Sequence, residues 1–240
     1  MELVRISKYF TDCGIMSRRA ADTAVSNGLV TVNGVVAELG QKIDPARDLV
    51  KYKGKIVKPS AQNEEKICIM LNKPRGFVTT MADDKGRHTV AELCADAGVR
   101  LYPVGRLDMD SDGLLLLTND GQLANLLSHP SHRVDKVYVV IVAGTATTAQ
   151  LEGMSRPIEI DGKATSPARI KKIGTDGQFT AIEVTIHDGR KHQVRLLCER
   201  EGFKVKRLTR TAEGPITLGN LPEGKWRKLS PSEIKRLKDY

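Results

Sequence analysis

Residues 105–121 read GRLDMDSDGLLLLTNDG, and this stretch constrains the fold more than any other part of the chain. The uninterrupted apolar run at 114–117 predicts a buried strand, and the strand-like run at 99–104 precedes it. Asp108 therefore falls on a connection held at both ends by core, where rigid elements place its carboxylate and the loop exposes it. Gly105 and Gly113 mark tight backbone. Asn119, Asp120 and Gly121 form a turn or N-cap signal before a helix at 122–127. An aspartate so placed suits a nucleophile.

Two other readings fit the same residues. Asp108, Asp110, Asp112 and Gly113 match the opening positions of an EF-hand calcium loop, with Asp120 falling at its twelfth. Such a loop wants an entering helix, a polar or water-bearing ninth position and a glutamate at the twelfth, whereas this chain offers a Pro103-containing run, Leu117 and Asp120. The remaining reading is a polar turn between two core strands.

A chain of 240 residues exceeds the needs of one small domain, so two unequal domains fit best. The formal net charge of +9 favours a polyanionic partner, and nucleic acid is the first choice. Aromatic content is 4%, which argues against a binder of single strands built on stacked rings and for one that reads folded RNA by backbone and shape. Cys13, Cys68, Cys94 and Cys198 lie far apart with no CxxC pair, so neither a zinc ribbon nor a disulfide scaffold is indicated. The N-terminus has no apolar signal-peptide core and no run approaches a membrane span. These features predict a cytoplasmic protein without metal or cofactor, and no long apolar heptad argues against a monomer.

Residues 1–58 read as the first domain. Ile6, Tyr9 and Phe10 sit at helical spacing, and Ser17 caps a second helix starting at Arg18. That helix stops at Asn27 and Gly28; a strand at 29–32, a turn at Asn33 and Gly34, and a partner strand from Val35 follow. The blocks GIMSRRAA at 14–21 and NGLVTVNG at 27–34 resemble an S4 RNA-binding domain. Arg18 and Arg19 open a helix whose free N–H groups already favour anions, which makes them candidate phosphate contacts. The polar segment 59–65 is the expected linker.

Residues 66–240 read as the second domain, beginning with a buried strand at 67–71 and a turn at 72–76. The polar, glycine-containing stretch 81–88 fits a loop that closes over RNA. The β-branched run 136–142 places Tyr138 inside a strand. The segments 151–156 and 158–160 lead to a hairpin turn at Asp161 and Gly162, and 168–173 and 179–186 supply more strands. Asp188 and Gly189 make a tight turn that delivers Arg190 to a helix running through His192 and Arg195 towards Gly202. His192 has no second histidine or carboxylate at useful spacing on that helix for metal binding or base catalysis. The short, turn-like connections predict an α+β fold with a mixed, largely antiparallel sheet and flanking helices.

Four further blocks stand in order with the Asp108 motif: LNKPRG at 71–76, SHP followed by KVY across 128–138, DGRKHQVR at 188–195, and the tail GPITLGNLPEGKWRKLSPSE. Together they resemble the rRNA pseudouridine synthases that carry an S4-like domain in front, over nearly the whole chain. The resemblance implies that Asp108 is the catalytic carboxylate, Tyr138 a ring packing on or near the target uracil, and Arg195 the cation paired with Asp108. It implies that the block around Lys73 is a structural motif near the active site. Arg106, Lys73 and Arg190 join Arg18 and Arg19 as candidate RNA contacts, and ribosomal RNA or a pre-ribosomal particle is the expected partner. One departure is Leu196, where the family usually carries a second basic residue. The alternative left by the residues is a non-catalytic RNA-binding factor for ribosome assembly, built on a retired catalytic domain.

Overall fold

The computed structural model describes residues 3–58 and 65–240, so the linker expected at 59–65 lies, except for Glu65, outside the described residues. The chain divides into two units, Met1–Glu65 and Lys66–Tyr240. Among the described residues no helix is long and apolar enough to cross a membrane.

The first unit contains β1 (Val4–Arg5), α1 (Ile6–Asp12), α2 (Arg18–Ser26), β2 (Val30–Val32), β3 (Val35–Val36), β4 (Lys42–Ile43), β5 (Val50–Tyr52) and β6 (Lys55–Ile56). Local signals set its elements. The Ser17 hydroxyl accepts from the Ala20 N–H and starts α2. Asn33 and Gly34, both at positive φ, turn β2 into β3. The helices bury Ile6, Phe10, Ala21 and Val25 together with Val30, Val32 and Val50 of the four-stranded sheet.

The second unit runs β7 (Cys68–Lys73), α3 (Val90–Leu93), β8 (Tyr102–Pro103), β9 (Asp112–Thr118), α4 (Gly121–Ser128), β10 (Lys136–Ala143), α5 (Thr148–Ser155), β11 (Glu159–Ile160), β12 (Lys163–Ala164), β13 (Arg169–Thr175), β14 (Phe179–Ile186), α6 (Gln193–Arg200), β15 (Val205–Glu213), β16 (Ile216–Thr217), β17 (Trp226–Lys228) and α7 (Pro231–Lys238). Its main sheet has the order β13-β14-β10-β15-β9-β7-β17, with β8 on β9 and β16 on β15. The fold is α+β. Among the described residues every pairing between these strands is antiparallel except β9 with β15, which meet at Asp112 with Thr209 and Gly113 with Arg210.

The leucine run explains why β9 is central. Leu115 and Leu117 join the core beneath α5 and α6, while Leu114 and Leu116 join Leu123 of α4 and Leu237 of α7 on the other face. All four leucines are fully buried, so the strand needs no polar side. Gly113 permits the parallel contact. It holds φ +104°, and a β-carbon there would sit 2.3 Å from the Arg210 carbonyl oxygen.

Two local expectations shift. Of the run 99–104 only Tyr102–Pro103 forms a strand. Residues 151–155, grouped with strand-like segments from sequence, belong to α5. A capping box starts that helix: the Thr147 hydroxyl accepts from the Gln150 N–H while the Gln150 side chain accepts from the Thr147 N–H.

Candidate active site

Asp108 sits on the loop 105–111 between β8 and β9, and four separate contacts hold that loop. Thr79 Oγ1 donates to the Leu107 carbonyl at 2.6 Å and accepts from the Leu107 N–H at 3.2 Å, while the Leu107 side chain enters the core. The Gly76 N–H donates to the Met109 carbonyl at 2.8 Å. Lys73 Nζ donates to the Ser111 carbonyl at 2.8 Å and to its neighbour Pro74 at 3.0 Å. Arg195 Nη2 reaches Ser111 Oγ at 3.2 Å and Asp110 Oδ2 at 2.9 Å. A loop pinned at 107, 109, 110 and 111 fixes the carboxylate between them, which is the preorganisation that catalysis requires.

The Asp108 side chain is about one-third exposed, at 37%, and opens into a cavity of about 210 Å³. The cavity is lined by Arg106, Asp108, Tyr138, Arg190, His192 and Leu208, among others. It is smaller than the roughly 300–1,000 Å³ of drug-sized ligand pockets and suits one flipped base with part of its sugar. Tyr138, on β10, is buried at the cavity wall.

The structure corrects several site expectations. Arg195 pairs with Asp110 and Ser111, not with Asp108, because α6 aims it at the far end of the loop. The group facing Asp108 is His192, with Nε2 3.5 Å from Oδ1. His192 caps α6 at φ +56°, a conformation that costs a non-glycine residue about 1–3 kcal/mol and is kept at functional sites. Lys73 is wholly buried and cannot touch RNA; its ammonium serves the loop. Arg190 lines the cavity, but its guanidinium donates to the carbonyls of Ile160, Lys163 and Ala164 and so ties down the β11–β12 hairpin. Arg106 is exposed at the cavity mouth with no ion pair among the described residues, and remains open to phosphate or base. In the first unit Arg18 and Arg19 are exposed at the start of α2, and Arg18 borders a shallow hollow with Arg5 and Lys8.

The calcium-loop reading fails on geometry. Asp110 is taken by Arg195, and Asp112 is buried, accepting from Arg75 Nε at 3.1 Å and Arg207 Nε at 2.9 Å. Its carboxylates therefore diverge. No group of three or more histidine, cysteine, aspartate or glutamate side chains able to hold a metal is present among the described residues.

Burial pushes the Lys73 ammonium down to about 8, with the nearby carboxylates of Asp112, Asp108 and Asp110 acting in the opposite direction. Between that value and the ordinary 10.5 the unfolded chain binds more protons than the folded one, so stability from this group rises with pH. The urea midpoint of the protein, relative to its Lys73→Met variant, is expected to rise from pH 8 to pH 10. A difference that stays flat or falls contradicts this account of the buried lysine.

Sequence reasoning passed over Arg210 and Glu213, which lie fully buried on β15 beside Tyr138. Alternation was the available signal, since Arg210 is two residues from the core residue Leu208 and must face the same way.

Residues 67–200 match the RNA pseudouridylate synthase family. The chain is 43% identical to an RNA pseudouridine synthase of Aquifex aeolicus (strain VF5), over 98% of this chain and 93% of that protein. It is 40% identical to the ribosomal large subunit pseudouridine synthase B of Bacillus subtilis (strain 168), over 98% and 95% respectively. A crystal structure of a pseudouridylate synthase matches with a TM-score of 0.68 at 30% identity, covering 98% of this chain and 99% of that one. A pinned aspartate at the mouth of a base-sized cavity thus stands in a chain that belongs to the RNA pseudouridylate synthases, isomerases that turn uridine in RNA into pseudouridine.

Proposed function

We propose that this chain converts a uridine of ribosomal RNA to pseudouridine with Asp108 as the catalytic carboxylate. The observation that carries the reading is the loop 105–111, clamped on both sides of Asp108 while the carboxylate itself opens into the cavity. The reaction breaks the bond from uracil N1 to the ribose C1′, turns the base, joins C5 to C1′, releases the C5 hydrogen as a proton and takes up a proton at N1. No electron is gained or lost. Asp108 acts as a nucleophile on the anomeric carbon or on uracil C6, or as the base that removes a ribose proton; each role needs the same placement.

The target uridine must leave its stack to enter the cavity, which costs a few kcal/mol that contacts to the extruded nucleotide offset. Tyr138 packs on the uracil from the wall and Leu208 excludes water beside it. His192 faces Asp108 across the cavity and meets the nucleotide that enters between them. Arg195 keeps the far end of the loop in place, and Arg106 meets the RNA at the rim.

The first unit, whose helix-then-hairpin order supports an S4-like reading, adds Arg18 and Arg19 to the phosphate contacts. On this reading the chain works as a cytoplasmic monomer on ribosomal RNA or a pre-ribosomal particle. The name of the Bacillus relative makes large-subunit RNA the first substrate to try.

Tritium release from ribosomal RNA labelled at uridine C5 tests the proposal, because the new carbon bond must expel that hydrogen. Release from RNA of one subunit, free or in precursor particles, is expected. No release from RNA of either subunit in either form would sink it.

A further inference from the structure

Beneath the cavity wall lies a group of charges that the loop around Asp108 does not use. Arg210 and Glu213 of β15 are each about 1% exposed. Arg210 Nε donates to the Leu114 carbonyl at 2.7 Å, and Arg210 Nη2 lies 3.3 Å from Glu213 Oε2. Across the strand pair, Arg210 stands opposite Tyr138 and Glu213 opposite Lys136. A register shift between Val137 and Tyr138 produces this alignment, since β15 spends one extra residue between positions 210 and 212. Such bulges re-aim side chains and occur beside active sites. The Arg210 guanidinium is close enough to the Tyr138 hydroxyl to favour its ionised form.

A buried ion pair adds little to stability over apolar residues of the same size, so its presence here asks for another reason. Apolar side chains would fill the space under Tyr138. They would leave its hydroxyl with no charged neighbour on the strand opposite.

We propose that Arg210, braced by Glu213 and the Leu114 carbonyl, is a positioning residue for Tyr138, setting a fixed positive charge across the strand pair from it at the wall of the cavity that Asp108 enters. The inference rests on Tyr138 being part of the site. Leu114 belongs to β9, the strand that follows the Asp108 loop, so the residue opposite Tyr138 is anchored to the segment carrying the carboxylate. The charged groups around Tyr138 are Arg210 and Glu213 from β15, Asp108 from its loop, Lys136 on its own strand, and Arg190 and His192 at the cavity wall. Burial raises the Tyr138 hydroxyl above its ordinary value; Arg210 opposes that rise, and Glu213 and Asp108 add to it.

The test uses the full chain with Tyr138→Phe, Glu213→Gln, Arg210→Lys and the charge-balanced double variant Arg210→Met with Glu213→Gln, each checked for folding by thermal melting. Tyrosine carrying carbon-13 at Cζ reports titration, the Tyr138 signal being the one lost in Tyr138→Phe. Glu213→Gln should move that titration down and the double variant should move it up. In tritium release the double variant should lose about 100-fold in kcat, as misplaced groups do, with KM little changed, and Arg210→Lys should recover part of the loss. A folded double variant with unchanged kcat and an unmoved Tyr138 signal overturns the proposal while Tyr138→Phe remains impaired. A fully active Tyr138→Phe instead overturns the reading of Tyr138 on which the proposal rests.

Discussion

Replacing Asp108 by asparagine is expected to stop pseudouridine formation while leaving the fold and RNA binding in place. The change keeps the side-chain shape, removes the negative charge, and leaves an amide that is neither nucleophile nor base. Removal of a nucleophile lowers turnover by on the order of 10⁴-fold or more, about 5.5 kcal/mol of barrier. The side chain is partly exposed and its facing group is a histidine at 3.5 Å, so the effect on stability should stay within about 0.5 kcal/mol. Affinity for RNA should be unchanged or slightly tighter, because one negative charge leaves a surface that meets phosphate. Tritium release and filter binding on the same preparation separate these effects. Conversion by the asparagine variant at a rate near that of the parent would remove Asp108 from the chemistry.

Gly113→Ala is the second large effect, and here the loss is structural. Alanine at φ +104° meets backbone strain of about 1–3 kcal/mol, and forcing an extra carbon into a closed contact adds about 1–3 kcal/mol more. The obstacle is the Arg210 backbone, which cannot rotate away as a flexible side chain would. A loss of about 4 kcal/mol is a large part of the roughly 5–15 kcal/mol that holds a domain together. For a unit of this size it corresponds to a fall in melting temperature of about 8–16 °C. Calorimetry should show this loss, whereas Gly105→Ala, on an open part of the loop, should show much less even though its φ is also positive. Equal losses at the two glycines would mean that the conformation alone, not the approach of β15, sets the requirement.

Signals carried by neighbouring residues were legible in the sequence. Ser17, the Asn33–Gly34 turn and Asp120 each act within three residues, and their side chains or φ angles start and stop elements where expected. The leucines of β9 were legible for a different reason, since four in a row admit no exposed face. Contacts made across long stretches of chain were not. Lys73 looks like a basic loop residue until Ser111, 38 positions away, is seen to need its ammonium. Arg190 likewise serves carbonyls 26 to 30 positions earlier. The partner of Arg195 depended on which of three aspartates α6 faces, and spacing does not encode that. His192 lacked a partner on its own helix and found one across the cavity, 84 positions before it in the chain. The Thr147–Gln150 capping box was also in the sequence but was passed over, and 151–156 was grouped with strands although the box starts a helix there.

The parallel junction of β9 with β15 divides the main sheet into two halves, and the residues proposed for the site straddle the dividing line. Asp108 belongs to the half with β7, β8 and β9; Tyr138, His192, Arg195 and Arg210 belong to the half with β10, β13, β14 and β15. The chain crosses from one half to the other between α4 and β10, and returns after β16 so that β17 can pair with β7. Neither half holds all the residues proposed for the site. On that proposal activity depends on how the two halves dock, and it is expected to fall before the fold is lost when the junction loosens.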